Sequence, residues 1–497
     1  MNASVFLGID VGTSSVTSAL VDLDAQVLGV SSHEHPLKFP RVGWAEQNPD
    51  DWWSGVVATI QKLGENHDLS AIGGISVSSQ APTLLALDQK MAPVCPAFIW
   101  MDRRATAQAD ALGARHPGPA YVLARGNRAD AFFVAPKIAW LRDVEPKLFS
   151  RTAVFAQING YINFRLTGSM ALDEQHASLL ALRPAGASSW DPEALEEIGI
   201  EPHHLPPVHR ATDIIGTVSA SAAALTGLKT GTPVVAGTVD SAAAGIETGV
   251  FREGFAAEMA GSSSVIVMPT QVPSSHPAFI TMSAPDGESW HHLAAVVASG
   301  ASLKWLRSLL APEADYQQLI SGAADCPAGA EGVLFIPHMV GERSPLWDTG
   351  RRGSLTGLTL ATQSSTLVRA VLEGTAYSMR HNLEIAQTLG SHPTEIRATG
   401  SPTLSDVWCQ IKADITGIPI TRMKNPTGAA FGDAVLAAVA VGAVSSFMDF
   451  GAGKDRVDRQ FEPTDDGSLR EVFDHGFEAY LSIIEATAPQ PAEAQSD

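Results

Sequence analysis

The stretch Gly8-Ile9-Asp10-Val11-Gly12-Thr13-Ser14 decides how this chain is read. Val5 to Asp10 is apolar and closes on an acid, Gly12-Thr13-Ser14-Ser15 supplies turn residues, and Val16 to Leu23 returns as a second strand. That is the pattern of strand, turn, strand. Gly12 lets the backbone approach a bulky anion closely. Backbone N–H groups and the hydroxyls of Thr13 and Ser14 can then bond phosphate oxygens, while Asp10 can orient magnesium or its waters. Alone, the stretch is equally an ordinary hairpin, because Gly, Thr and Ser are common turn formers. A second copy of the device tips the reading. Phe255 to Ala260, the turn Gly261-Ser262-Ser263-Ser264, and Val265 to Met268 repeat the plan. Two phosphate-grasping turns on opposite halves of one chain can clamp a triphosphate.

The duplication sets the domain organisation. The 497 residues exceed what one small core needs, so at least two domains are expected. The boundary is placed near Gly249, with residues 1–248 as an N-terminal lobe and 249–485 as a C-terminal lobe. Residues 486–497, made of Ala, Pro, Gln and acid, are read as a disordered tail. The net charge of −20 argues against a broad nucleic-acid surface, which needs Lys and Arg to neutralise phosphates. It leaves ATP open, because backbone N–H groups and magnesium can hold a nucleotide. No apolar run reaches the roughly 18 residues that span a bilayer, and Met1 to Gly8 lacks the pattern of a signal peptide. Cys95, Cys326 and Cys409 lie far apart. They give neither a disulfide framework nor a zinc spacing and fit a cytoplasmic protein.

Further strands are expected over Gln26 to Ser32, Ala71 to Val77, Leu84 to Leu87 and Val234 to Gly237. The polar crossing Ser78-Ser79-Gln80-Ala81-Pro82-Thr83 separates two of them. Helices are expected at Ala105 to Arg115, Pro136 to Arg142, Phe155 to Leu166, Ser241 to Ile246, Leu303 to Leu310, Ser365 to Leu389 and Ser405 to Thr416. Pro202 to Val208 reads as loop. Asp240 ends a buried strand, where ligands of α/β sheets sit. It can accept the proton of an attacking hydroxyl, or cap the helix that follows, or do both. Gly400-Ser401-Pro402 leads towards a helix capped by Ser405; such a turn can admit a flat adenine ring or be a plain strand-to-helix turn. Gly451-Ala452-Gly453-Lys454 lacks the upstream Gly and the Ser/Thr of a P-loop. His203-His204 and His291-His292 lack partners at metal-ligand spacing. Trp44, Trp52 and Trp53 are read as packing residues.

Taken together, these stretches resemble the FGGY carbohydrate kinases, which phosphorylate ketoses, polyols and glycerol. The resemblance runs from about Leu7 to Gly442. It rests on Gly8-Ile9-Asp10-Val11-Gly12-Thr13, Trp44-Ala45-Glu46-Gln47, Trp100-Met101-Asp102-Arg103-Arg104, Ala135-Pro136-Lys137-Ile138-Ala139-Trp140 and Val235-Ala236-Gly237-Thr238-Val239-Asp240. Gly341-Glu342-Arg343-Ser344-Pro345, Gly353-Ser354-Leu355-Thr356-Gly357-Leu358, Arg369-Ala370-Val371-Leu372-Glu373-Gly374 and Trp408-Cys409-Gln410 complete it. Their number and order carry the match.

The resemblance implies an α/β fold of two ribonuclease H-like lobes, actin-like and of the ASKHA type, with a central cleft for ATP and sugar. It makes Asp240 the general base and Asp10 the carboxylate of the Mg2+ site. Thr13 and Ser14 fall in the first phosphate loop with Gly12, and Gly261 and Ser262 in the second. Gly300 and Lys304 match a helix flanking the nucleotide, and Gly400, Ser401 and Ser405 match the adenosine loop. Ser79, Gln80 and Asp102 are the expected sugar contacts. Xylulose kinases commonly carry Met-His-Gly where this chain has Ser79, Gln80 and Ala81, and Ala81-Pro82 after Gln80 counts against glycerol. A ketopentose, xylulose first, is the expected substrate. Another ketose or polyol, or a non-catalytic sugar-responsive role on the same fold, stays open. The expected partners are the sugar and MgATP, with no nucleic acid and no membrane; a homodimer is compatible.

Overall fold

The computed structural model describes residues 5–117, 119–250, 253–424, 428–447 and 456–488. The chain divides into two compact units. The first comprises Met1–Arg252, Pro269–His292 and Thr427–Lys454; the second comprises Glu253–Met268, Leu293–Pro426 and Asp455–Asp497. The expectation of two uninterrupted lobes is corrected for Pro269–His292 and Thr427–Lys454, which return to the first unit. In the second of these, Ala430, Phe431, Ala434 and Val435 are buried in one cluster with Phe6, Ala19, Val235 and Ile246; the first is tied in by Asn127, whose Nδ2 donates to Thr281 O and whose Oδ1 accepts from Thr281 N. The Gly451 to Lys454 stretch and residues 489–497 lie outside the described residues. Ala486 belongs to the helix Gly467–Ala486, so the expected tail begins too early.

In the first unit, strand Val5–Val11 pairs antiparallel with Ser15–Asp22, which pairs antiparallel with Val27–Glu34. On its other side Val5–Val11 runs parallel to Ile72–Ser79, which runs parallel to Pro233–Val235 and Thr238–Val239. Parallel strands need both faces covered. The helix Pro49–Gly64 covers one face with Trp52, Val56, Ile60 and Leu63. Asn48 caps its start by accepting from Asp50 N, and Pro49 suits its first turn. The helix Ala429–Ala440 covers the other face so closely that a Cβ on Gly8 would lie 1.8 Å from the Ala430 carbonyl oxygen. Gly8 is therefore a packing requirement of the first strand as well as part of its motif.

The second unit repeats the plan. Phe255–Ala260 pairs antiparallel with Ser264–Thr270 and parallel with Glu395–Thr399, which runs parallel to Ile420–Met423. Helices Gly300–Leu310, Ser364–Thr388 and Asp406–Thr416 contribute Leu303, Leu306, Val371, Tyr377, Trp408 and Ile411 to one core with Phe473 and Tyr480. These are the ribonuclease H-like lobes of the two-lobe ASKHA fold. Two local expectations change. Phe155 to Leu166 splits into a strand, Val154–Ala156, and a helix, Ile158–Thr167. Pro202 to Val208 contains a short 3-10 turn at Pro202–His204. Among the described residues, no helix is long and apolar enough to cross a membrane.

Candidate active site

The first unit gathers three acids around one strand end. Asp10 pairs in register with Ser78, and Thr238 and Val239 pair with Ser78 and Ser79 from the other side. Asp10 and Asp240 thus stand at matching ends of strands that flank Ile72–Ser79. Asp240 opens the helix Asp240–Thr248, with Val239 in the cap position, so the alternative of Asp240 as helix cap is corrected by one residue. Its Oδ1 accepts the Ser241 N–H at 2.6 Å. Asp10 accepts from the Ser78 hydroxyl at 3.3 Å. Burial pushes the Asp10 carboxyl up to about 8 and the Asp240 charge adds to this, while the Ser78 hydrogen bond opposes it.

The third acid, Asp433, was not anticipated. It is fully buried on the helix Ala429–Ala440 and accepts from Ser76 Oγ at 3.2 Å and Ser78 Oγ at 2.5 Å. Burial raises its pKa well above the ordinary value, Ser78 opposes this, and the charge of Asp10 adds to it. A lone acid inside Ala-Phe-Gly-Asp-Ala-Val-Leu was the available signal, because Asp is seldom fully buried without a partner. Carboxylates that raise one another's pKa are relieved by a hard divalent cation, and oxygen donors suit Mg2+. The donor set therefore fits the magnesium expected at Asp10.

The first turn is braced from beneath. Gly12 N donates to Ser15 O at 3.0 Å. The Thr13 carbonyl accepts from Gln47 Nε2 at 2.7 Å, and the Thr13 hydroxyl accepts from Trp100 Nε1 at 3.1 Å and donates to Gln80 Oε1 at 3.0 Å. Gln80 Nε2 donates to Gln47 Oε1 at 2.6 Å and to Gly12 O at 3.3 Å. Ser14 is left exposed at the tip. Gln80 is 1 % exposed and uses both ends of its amide on the turn. These bonds give Gln80 a part in fixing the turn's shape.

Asp102 is likewise committed to partners within the protein. It is fully buried, and Oδ2 accepts from Ala45 N at 2.7 Å. Arg104 Nη2 bonds both Asp102 Oδ2 at 2.8 Å and Glu46 Oε1 at 2.7 Å. The Arg104 guanidinium lies over Trp44 at 3.6 Å and over Phe98 at 3.8 Å. The two Trp-led motifs are thus one structural knot, and Trp44 packs as expected. Ser79 is also fully buried, with Oγ 3.2 Å from His176 Nε2. Elsewhere in this unit, His116, Glu193 and Glu197 lie close enough to hold a metal. Arg125 pairs with both glutamates and with Asp191, and Arg115 lies 3.9 Å from Glu197, so the cluster is an ion-pair network.

In the second unit a pocket of about 300 Å³ is lined by Gly261, Ser262, Gly300, Lys304, Ser401 and Ser405, with Tyr316, Gln317 and Trp408 among its other walls. Six residues from three separate stretches of sequence meet there. Gly300 N donates to Gly261 O at 3.1 Å, and Ala301 N donates to Ser262 O at 3.0 Å. This welds the second turn to the start of helix Gly300–Leu310. A Cβ on Gly300 would lie 2.4 Å from Gly261 O, so the weld requires glycine. Gly400 stands just outside the lining, at φ 98°, where a Cβ would come within 1.9 Å of Ala260 O. Ser405 caps the helix Asp406–Thr416 by accepting from Trp408 N. Tyr316 and Gln317 escaped the sequence reading because they belong to a helix, Tyr316–Ala324, with no motif of its own.

Comparison with known proteins agrees with this geometry. Residues 5–246 match the N-terminal domain, and residues 256–441 the C-terminal domain, of the FGGY family of carbohydrate kinases. The chain is 32% identical over 445 residues to a xylulose kinase of Bacillus subtilis, covering 88% of each sequence. It is 28% identical to a gluconokinase of the same organism, covering 89% of each. The crystal structure of xylulose kinase from Rhodospirillum rubrum superposes with a TM-score of 0.89 at 30% identity, covering 97% of this chain and 98% of that one. The chain belongs to the FGGY family of carbohydrate kinases and is a sugar kinase.

Proposed function

We propose that this kinase transfers the γ-phosphoryl group of MgATP to a terminal hydroxyl of a ketopentose, D-xylulose first. The observation that carries the reading is the pairing of Asp10 and Asp240 across the strand Ile72–Ser79, with their charges coupled. Phosphoryl transfer asks little covalent chemistry of a protein; alignment and electrostatic stabilisation do most of the work. Asp240 is at a strand end, half-buried, where it can accept the proton of the attacking hydroxyl. Asp10 would hold magnesium, which supplies charge neutralisation to the phosphates. Gly12, Thr13 and Ser14 form a turn whose shape is set by Gln47, Gln80 and Trp100, so the Thr13 and Ser14 N–H groups would meet phosphate at little ordering cost. Gly261, Ser262, Gly300, Lys304, Ser401 and Ser405 line the pocket proposed for the adenosine part, and Gly400 supports it.

Two similarities favour different sugars. Likeness to xylulose kinases supports the ketopentose, and likeness to a gluconokinase at 28% identity raises an aldonate as the second reading. Coupled ADP release over a panel of ketopentoses, ketohexoses, polyols and D-gluconate decides between them. ADP release that depends on a ketopentose is the expected result. Sugar-independent turnover, or sugar binding with no turnover, would refute the kinase mechanism drawn here.

A further inference from the structure

Beside the helix Ser364–Thr388, the second unit holds a cavity of about 790 Å³ that shares no lining residue with the pocket proposed for adenosine. Three pieces of chain enclose it: that helix through Glu373 and Tyr377, the helix Gly467–Ala486 through Glu471, Val472 and Gly476, and the segment 328–334. Thr375, between Glu373 and Tyr377 in sequence, faces the other way. It accepts from Trp408 Nε1 at 3.2 Å, and Trp408 is a wall of the other pocket. One helix thus stands between two separate cavities, and phosphoryl transfer uses only one of them.

The polar wall of the second cavity is incomplete. Tyr377 is 1 % exposed, and its hydroxyl has no hydrogen-bond partner among the described residues. A buried tyrosine normally finds one. Gly476 leaves that hydroxyl its room, because a Cβ there would lie 2.2 Å from it. Glu373, one helical turn earlier, is 2 % exposed. Its hydrogen bonds, from Gly329 N at 3.1 Å and Arg369 Nε at 2.6 Å, both end on Oε1. Oε2 is left without one among the described residues. Burial raises the Glu373 pKa, and Arg369 and the Gly329 N–H pull it back; a positive charge in the cavity would add to that pull. The turn that Glu373 holds is itself strained. Its φ angles are 79°, 45°, 52° and 86° at Gly329, Ala330, Glu331 and Gly332, a run that non-glycine residues keep only where their surroundings impose it.

The lining also selects the charge of a ligand. No lysine or arginine is among its described residues, and the exposed Glu471 adds a second carboxylate. Val333, Leu334 and Val472 give the cavity an apolar side. We propose that it is a binding site for a small organic amine, whose ammonium group donates to Tyr377 Oη and Glu373 Oε2 while its hydrocarbon part packs against Val333, Leu334 and Val472. An ammonium has donors and no acceptor, so it suits a phenol oxygen and a carboxylate oxygen that both have lone pairs to offer. A sugar phosphate or another anion would instead meet two carboxylates with no cation on the wall, and is rejected. The site stands apart from the kinase chemistry and does not depend on which sugar is phosphorylated.

Calorimetry on the full chain tests this with three compounds of similar shape: benzylamine, benzyl alcohol and benzoate. Benzylamine should bind at a single site with a Kd of about 1 mM or below. Benzyl alcohol should bind at least about tenfold more weakly, and benzoate not measurably. Tyr377→Phe removes only the unpartnered hydroxyl. It should keep the Tm within about 2 °C of the parent and kcat within about twofold, while weakening benzylamine roughly tenfold. Saturating ATP should leave the benzylamine Kd within about twofold. Equal affinity for the three compounds, or no binding of benzylamine at about 10 mM, would overturn the inference. So would a Kd that climbs in proportion to ATP, which would put the amine in the other pocket. Folded Tyr377→Phe with unchanged affinity would overturn it as well. If that variant does not fold, Glu471→Gln on the exposed surface decides: a loss of about threefold at low salt is expected, and no loss refutes the site.

Discussion

Glu342→Gln is expected to make the protein less stable than the parent at pH 5 and to close that gap as the pH rises to 8. Glu342 lies in the motif Gly341-Glu342-Arg343-Ser344-Pro345 and is 3 % exposed. Its Oε1 accepts from Val297 N at 3.0 Å and Arg343 N at 2.8 Å. Its Oε2 is buried without a hydrogen bond, 3.9 Å from His338 Nε2. Burial pushes the carboxyl from its ordinary 4.5 up to about 8, against the pull of the two backbone N–H groups. The raised value means that the folded state keeps its proton at pH values where the unfolded chain has lost it. Folding of the parent therefore weakens as pH climbs from about 4.5 towards 8, by at most about 1.4 kcal/mol per unit. At pH 7 the ceiling is about 3.4 kcal/mol, and relaxation around the site brings the expected figure to about 1 to 3 kcal/mol.

Glutamine keeps the Oε1 acceptor and does not titrate, but its amide N–H2 inherits the unpaired Oε2 position at a cost of about 1 to 3 kcal/mol. The difference in unfolding free energy, variant minus parent, should thus start negative at pH 5 and rise by about 1 to 3 kcal/mol by pH 8. Urea unfolding without nucleotide, followed by Trp fluorescence from pH 5 to 8.5, measures it. Because Val297 leads into the helix Gly300–Leu310, and the variant keeps that tether, the KM for ATP should stay within about twofold of the parent. A difference that stays flat with pH would refute the reasoning.

Three further outcomes follow from the sites. Asp240→Asn should keep the fold and sugar binding and lower kcat by about 10² to 10⁴; unchanged turnover on a verified sugar would remove Asp240 as the base. Gly300→Val should raise the KM for ATP and leave sugar binding intact, since its Cβ would press 2.4 Å from Gly261 O, and calorimetry with ATP checks this. Asp102→Ala should act on stability, by about 1 to 3 kcal/mol, because it leaves Glu46 as the one carboxylate on the buried Arg104 guanidinium and leaves the Ala45 N–H unpaired. A large rise in sugar KM with stability intact would return Asp102 to the sugar site.

Some of this protein could be read directly from its residue order. The two turns are contiguous: Gly12-Thr13-Ser14 and Gly261-Ser262 carry their own backbone geometry, and each sits between two apolar strands. Asp240 was legible for the same reason, as an acid closing a buried strand. The duplication of the hairpin gave the two-lobe plan, and the order of many modest motifs gave the family.

What tertiary structure decided was the direction each polar side chain faces. Gln80 and Asp102 looked like sugar contacts, because a polar residue at a strand end reads the same whether it meets a ligand or a partner. Packing put Gln47, Gly12 and Thr13 against Gln80, and Arg104 and the Ala45 N–H against Asp102. Ser78 meets Asp433 across 355 residues of sequence, and Ser79 meets His176 across 97. No local pattern announces such pairs. They exist only because the helix Ala429–Ala440 lies flush on the sheet through Gly8 and the short helix Glu174–Ser178 is pinned by Asp173 and Gln175. Local sequence determines which turns the backbone can make, whereas the pairing of a buried donor with its acceptor is settled by long-range packing, where an unpaired polar group costs more than the contact itself is worth.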